Sequence, residues 1–474
     1  MGATGPALAH PRCLVQSADM RTTLRLLASV ILVCGALQAP SGAQGPTVTA
    51  LTGMRLITGD TSPSIPQATL VMRGDTIIAV GPASRIRIPT GATRVDLSGK
   101  TVMPALIDGH THLGFTNVAT METSAGTYSS AMLRDHLTRY AYYGLAATLS
   151  LGADAGDAGF QVRNAPTAGT ALFRLAGRGI ASPGSGPQAA HNRDTPHNVT
   201  TEAEARAAVR EEAAKKVDVI KIWVDDRGGS ARKLTPALYT AIINEAHRHG
   251  LRVVAHIFAL EDAKGLLKAG IDGFAHGIRD TAVDADVLAL FKARPQVFVM
   301  PNLPDTGDPI DLDWAADSLP VAERQRLAAE QAGRKPEAIA AMKAAFAIQA
   351  RNLVALQAAG VRIGFGTDAG ASVGWTAHQE LADMVTAGMT PAQVLVAATS
   401  TSASILRLPR QGTLRAGQRA DLLVLDANPL DDIQHTRRIA SVYLRGQLVD
   451  RTALRATWAT HDSTRGTRGT RGTR

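Results

Sequence analysis

From residue 48 to 100, apolar and polar positions alternate over short spans, the period of a strand with one face buried. Residues 48–57, 68–73 and 76–80 fit that pattern, and the last two flank a Gly74-Asp75 pair, a spacing that favours a hairpin. Similar material returns at 420–426 and 441–449. Neither piece alone has enough strands to cover a face, so the two ends are expected to meet as one small β-sandwich domain, 44–100 with 412–455.

Between these ends the pattern changes to strand-length apolar runs alternating with alanine-rich helical stretches. Eight runs are found, at 101–113, 144–151, 171–180, 217–224, 251–258, 273–278, 296–303 and 361–368. Helices are expected at 201–216, 235–249, 260–269, 337–359 and 391–406. The alternation predicts an α/β chain whose residues 101–411 form a (β/α)8 TIM barrel, with functional residues at the C-terminal strand ends. Two connections are long: 182–200 has the composition of a lid, and 304–336 is charged and expected to be helical. The tail 456–474 ends in a Thr-Arg-Gly repeat and is expected to be disordered.

The composition fits a globular protein of enzyme size: 474 residues, 45% hydrophobic and 19% charged. Aromatic residues make up only 4%, which leaves little for stacking on bases. The net charge of +9 is concentrated at the ends, with +2 in residues 1–43 and +4 in the arginines after Ser463. The body therefore keeps +3 and shows no basic stripe, which argues against a nucleic-acid partner.

Residues 20–43 read as a secretory signal peptide. Arg21 and Arg25 precede an apolar run at 26–37, and Ser41-Gly42-Ala43 offers a small-residue cleavage site, with Met20 a candidate start. The mature protein is expected to be secreted or periplasmic. The signal's core is too short to span a bilayer, and no stable membrane anchor is expected later. The only cysteines, Cys13 and Cys34, lie in or before that signal, so disulfides, thiolate ligands and a cysteine nucleophile are excluded from the mature chain.

Polar residues at the strand ends carry the chemistry. His110 and His112 lie two apart, which on a strand puts both imidazoles on one face. Lys221 sits between apolar neighbours on a central strand, where an unpaired ammonium is costly and desolvation lowers its pKa. A neutral amine there can take up carbon dioxide and become a carbamate, the alternative being a salt bridge to an acid. His256 and His276 end two adjacent runs. Asp368 ends the last, in Gly364-Phe365-Gly366-Thr367-Asp368, where glycines permit close approach. Four histidines, a lysine and an aspartate form a nitrogen and oxygen donor set suited to zinc or a similar divalent ion. Such an ion brings bound water to a pKa of about 7, so hydroxide attack on an amide carbonyl follows, with Asp368 as general base and then acid.

The ordered series His110, His112, Lys221, His256, His276 and Asp368, opening in Met103-Pro104-Ala105-Leu106-Ile107-Asp108-Gly109-His110-Thr111-His112, resembles the amidohydrolase superfamily. Within it, the resemblance is to the imidazolonepropionase-like and metal-dependent dipeptidase-like branch, and it covers residues 48–450. It implies that His110, His112 and Asp368 hold one metal, that His256 and His276 hold a second, and that carboxylated Lys221 bridges them; branches with one metal exist. The substrate implied is a small-molecule amide: a dipeptide, an N-acyl amino acid or a cyclic amide. A homo-oligomer is compatible with this reading. After Lys221 the chain reads Asp225-Asp226-Arg227-Gly228-Gly229, where many relatives carry smaller residues.

Substrate contacts are expected from His378, Trp375, Tyr143, His191 and Arg227. His247 and His249 read as complements to a helix dipole, and Asn198-Val199-Thr200 matches a glycosylation sequon. Two other classes are weighed. Gly370-Ala371-Ser372-Val373-Gly374 matches a nucleophile elbow, which would make Ser372 the nucleophile of a serine hydrolase with Asp426 and His435, but it leaves the strand-end histidines unexplained. The other is a secreted receptor that binds metal without catalysis.

Overall fold

The computed structural model describes residues 47–468, with side chains described through 459. The expected signal peptide at 20–43, with Met20, Cys13 and Cys34, lies outside the described residues. The two chain ends do join. Thr101–Pro104 pairs antiparallel with Leu422–Leu425 on one side and parallel with Val48–Leu56 on the other. All eight strands of this terminal region, from Gln447–Leu448 at one edge to Thr76–Pro82 at the other, are hydrogen-bonded in one sheet rather than in two facing ones. Met54, Leu70 and Ile77 from the first end share a buried cluster with Leu422, Val424 and Tyr443 from the second.

The run expected at 101–113 splits between this sheet and the next. Pro104 has no amide to donate, and beyond it Ala105 N bonds Asp421 O while Leu106 N bonds Gly144 O. The chain thus changes sheet within two residues. The parallel strands follow: β1 (Leu106–Thr111), β2 (Leu145–Ser150), β3 (Leu172–Leu175), β4 (Ile220–Val224), β5 (Val253–Ile257), β6 (Gly273–Ala275), β7 (Phe298–Met300) and β8 (Arg362–Ile363). Neighbours are β1 with β2, β2 with β3, and then β4 through β8 in order. Ile180 links the segment after β3 to β4, and Thr111 makes a parallel bridge to Ala369 beyond β8.

Helices cross between the strands, started by the residues that favour caps. Thr201, Thr235 and Thr390 each accept an amide hydrogen bond from the first turn, and Pro236 and Pro391 follow the last two. Leu260–Ala269 ends at Gly270 with φ of 105°, a conformation that glycine reaches without strain. Within 304–336, Val321–Ala332 and a short turn at Asp313–Ala315 are helical, and Pro336 opens the next helix.

Two expectations are corrected. The tail placed in disorder from 456 begins inside a helix, Arg451–Arg468, because Trp458 docks there: its ring lies 5.0 Å from that of Tyr142 and 4.4 Å from the Arg139 guanidinium. Helix Pro336–Ala358, with 23 residues and a mean hydropathy of 1.3 in its most apolar window, is also long and apolar enough to cross a membrane, against the expectation that no later segment would be. Its C-terminal half packs inward through Phe346, Leu353 and Leu356.

Candidate functional site

The strand tips bring the predicted donors together. Asp108, two positions before His110 on β1, organises the first of them. One carboxylate oxygen accepts from the amides of His110 (3.2 Å) and Thr367 (3.1 Å), and the other from the hydroxyls of Thr367 (2.7 Å) and Tyr140 (3.1 Å). Burial pushes the Asp108 carboxyl up to about 6 against those bonds. The tip of β1 is thereby stitched to the segment carrying Asp368. That approach needs Gly366, since a Cβ there would stand 2.8 Å from His110 Cβ and 3.1 Å from its amide nitrogen.

His110 Nδ1 donates to Asn302 Oδ1 at 2.9 Å, which leaves Nε2 as the lone-pair nitrogen, 3.3 Å from Asp368 Oδ1. His112 Nε2 lies 3.1 Å from the same oxygen, and His276 Nε2 lies 3.8 Å from Asp368 Oδ2. The His110 and His276 rings are 4.9 Å apart, and those of His256 and His276 are 4.6 Å apart. Ligand atoms of His110, His276 and Asp368 all lie within 4.8 Å of one another. His276, Asn302 and Asp368 have φ of 91°, 45° and 57°, positive values that side-chain-bearing residues keep only where surrounding structure imposes them.

Lys221 is fully buried in the same space and its Nζ has no hydrogen-bond partner among the described residues; burial, and then the guanidinium groups of Arg279 and Arg227 against the pull of Asp368, bring it down to about 7. His110 Nε2 and His112 Nδ1 are likewise buried without a hydrogen-bond partner. Burial holds His110 and His276 well below the ordinary imidazole range and brings His256 to about 3, so all three are neutral donors at neutral pH. Burial raises Asp368, yet His110, His112 and Lys221 outweigh it and hold the group well below the usual carboxylate range. Neutral imidazoles, an ionised carboxylate and an amine that loses its proton near neutrality fit a divalent cation and a carboxylated lysine.

These residues floor a cavity of about 290 Å³, walled by residues 187–192 of the long loop and by Trp223, Arg227 and Gly370. His191 lines it, with its ring 5.0 Å from Phe115. A larger cavity of about 550 Å³ lies near Ile57, Arg362 and Met389 and contains none of the predicted site residues.

Three expected substrate contacts lie elsewhere. His378 is buried with both nitrogens engaged, Nδ1 by the Thr436 hydroxyl and Nε2 by the Tyr143 carbonyl, each at 3.0 Å. Tyr143 points its hydroxyl at Ser318, and Trp375 is buried in the main core. Proximity in sequence to Asp368 and β2 placed them at the site; the elements that carry them turn them into packing. The serine arrangement is also not assembled, since Asp426 pairs with Lys100 at 2.5 Å and His435 bonds Asn428 O.

His247 pairs with Asp272 at 2.9 Å rather than serving only a helix end. His197, Glu211 and Glu212 form a second group with metal-ligand spacing, but Lys215 Nζ already bonds both glutamates.

Asp108, Asn302, Asp225 and Arg279 also touch or hold the site and were given no role from sequence. For Asn302, just beyond β7, the signal was the same polar strand end used for the other tips. Asp108 shares a strand face with His110 by its spacing of two.

A profile of the amidohydrolase family matches residues 101–449. The imidazolonepropionase of Deinococcus radiodurans is 27% identical over 402 residues, which is 81% of this chain and 92% of that protein. The ochratoxinase of Aspergillus niger is 27% identical over 256 residues, 52% of this chain and 49% of that one. Among solved structures, that of a Bifidobacterium longum protein described as a prolidase has a TM-score of 0.69 at 27% identity, covering 88% of this chain and 100% of the other. The chain spans about half the length, 49%, of the ochratoxinase and of its mycobacterial relatives.

Proposed function

The chain belongs to the amidohydrolase family, and on that premise we propose that it is an exported, metal-dependent hydrolase that cleaves the amide bond of a small molecule. The observation that carries the reading is the fully buried Lys221 Nζ, without a hydrogen-bond partner among the described residues, beside four imidazoles and the Asp368 carboxylate. In this reading the parallel strands form a closed (β/α)8 barrel and the reaction takes place at their C-terminal ends. The signal-like segment at 20–43 supports export.

His110, His112 and Asp368 would hold one divalent ion, zinc by its donor set, and His256 and His276 a second. Lys221 is brought down to about 7, so its Nζ can form a bond to carbon dioxide with release of one proton; the resulting carbamate would offer its oxygens as further ligands. A divalent ion held by these residues would supply polarisation of the scissile carbonyl and a water with a pKa of about 7. Asp368, with a side chain 40% exposed and lining the cavity, accepts the proton that the attacking water gives up and returns it to the leaving nitrogen as the carbon–nitrogen bond breaks. His191 and Arg227 line the wall and would meet the rest of the substrate. The ochratoxinase, prolidase and imidazolonepropionase likenesses support a dipeptide, an N-acyl amino acid or a cyclic amide as the substrate class.

The test is turnover of purified protein on a panel of dipeptides, N-acyl amino acids and cyclic amides, before and after prolonged chelation. Activity should vanish on chelation and return with added zinc. Activity that survives chelation and is blocked by a phosphonate bonded to Ser372 would contradict the reading.

A further inference from the structure

Asp225 follows β4 by one residue and faces His256 near the tip of β5. Its Oδ2 lies 3.0 Å from His256 Nε2, and each side chain is 9% exposed. At 3.0 Å the carboxylate can only accept, and it is the one acceptor in hydrogen-bond reach of the ring among the described residues, so Nε2 carries the hydrogen and donates it. The lone pair then belongs to Nδ1, which makes no hydrogen bond among the described residues; Arg227 Nη1 and Arg279 Nη2, at 3.4 and 3.5 Å from Nε2, stand further off than Asp225 and only flank it, and the His276 ring lies 4.6 Å away. A carboxylate on the far nitrogen fixes the tautomer and orientation of a metal-binding histidine and raises its basicity.

Asp225 is itself held. The Arg227 amide donates to Oδ1 at 2.8 Å and Nη1 donates to Oδ2 at 2.9 Å. Arg227 sits at φ of 55°, so the chain accepts a strained backbone to bring its guanidinium round. That guanidinium reaches further: Nη2 donates to the carbonyls of Ser185 (3.2 Å) and Gly186 (2.5 Å). The next residues of the same loop, 187–192, wall the cavity. The links are continuous, from loop backbone to guanidinium to carboxylate to imidazole.

We propose that Asp225 and Arg227 are positioning residues that couple the loop at 182–200 to the metal centre, Asp225 by holding His256 with Nδ1 free to ligate and Arg227 by tying Asp225 to the loop carbonyls. The inference rests on the reading of the site as a metal centre. When the loop lifts, Arg227 loses its carbonyl partners, Asp225 loses its brace, and the His256 ring is freed to turn. Retention of metal and closure of the loop are then one equilibrium.

The test uses the full chain and its variants Asp225→Ala, Asp225→Asn and Arg227→Ala. Zinc affinity is measured by competition with a chromogenic chelator, the His256 tautomer by long-range proton–nitrogen NMR on chelated protein, and the loop by amide hydrogen exchange across 182–200. Asp225→Ala should weaken zinc binding about 10- to 100-fold and mix the His256 tautomers. Asp225→Asn, whose carbonyl oxygen still accepts from Nε2, should recover most of both. Arg227→Ala should speed exchange in the loop and zinc release together.

An Asp225→Ala protein with wild-type zinc affinity and an intact Nε2–H tautomer overturns the proposal. Should that variant fail to fold, Arg227→Ala decides: fast loop exchange with wild-type zinc release overturns the coupling. A wild-type chain that binds no divalent ion refutes the metal reading itself, a result distinct from either.

Discussion

The two ends of the parallel strand array are built from opposite materials. At the strand starts, Val219, Val254 and Phe298 close the interior together with Ile405 and Leu406 in an apolar cluster, and the charged groups there, Arg174, Asp218, Arg252 and Arg407, stand at its margin. At the tips the same interior holds histidines, a lysine and an aspartate, several of them with buried nitrogens that lack partners. The lower end gains stability from burial at roughly 25 cal/mol per Å² of apolar surface. The upper end gives some of that up to hold donors where a cation would use them. The comparison teaches that, within one scaffold, substitutions at the two ends should separate stability from activity.

The largest separation is expected at Asp368. Asp368→Asn should lower kcat about a thousandfold, the scale for loss of a positioned proton acceptor, while the unfolding midpoint of the chelated protein stays near wild type. Steady-state kinetics and calorimetry check both. At the opposite end, Ile405→Ala should cost about 2–5 kcal/mol in denaturant unfolding and leave kcat per folded molecule unchanged. A fall in kcat there would erase the contrast.

Much of the upper end was legible in the sequence because its rules are local. A spacing of two on a strand puts His110 and His112 on one face, and a lysine inside an apolar run announces a buried amine at 221. The contacts assigned to Tyr143, Trp375 and His378 were not legible, because nearness along the chain does not say which way a helix turns a side chain. The helix Thr376–Thr386 turns His378 toward Thr436 and the Tyr143 carbonyl, away from the cavity. The division of 101–113 between two sheets was hidden for a related reason: both halves are fully buried and read as one apolar run.

That correction at His378 yields a pH prediction. Burial brings this imidazole down to about 4 from 6.5, so between those values the unfolded chain binds the extra proton and stability falls as pH drops. The loss should reach about 3 kcal/mol by pH 4. His378→Asn should flatten that slope in unfolding titrations while zinc content and kcat stay at wild-type level; a collapse of metal binding would return His378 to the site.

The smallest effect is the most pointed. Lys221→Met removes a buried amine without a hydrogen-bond partner among the described residues and should stabilise the chelated protein by about 1–3 kcal/mol, while zinc content drops. Destabilisation of the chelated protein would mean that Lys221 holds the fold rather than the metal.

The central claim is that six side chains from the tips of five strands form one cation site. Anomalous diffraction at the zinc edge from zinc-loaded crystals tests it most directly. The account predicts peaks within about 2.0–2.3 Å of donor atoms of His110, His112 and Asp368, with a second ion beside His256 and His276. A single peak among His197, Glu211 and Glu212, with none at the strand tips, would contradict it.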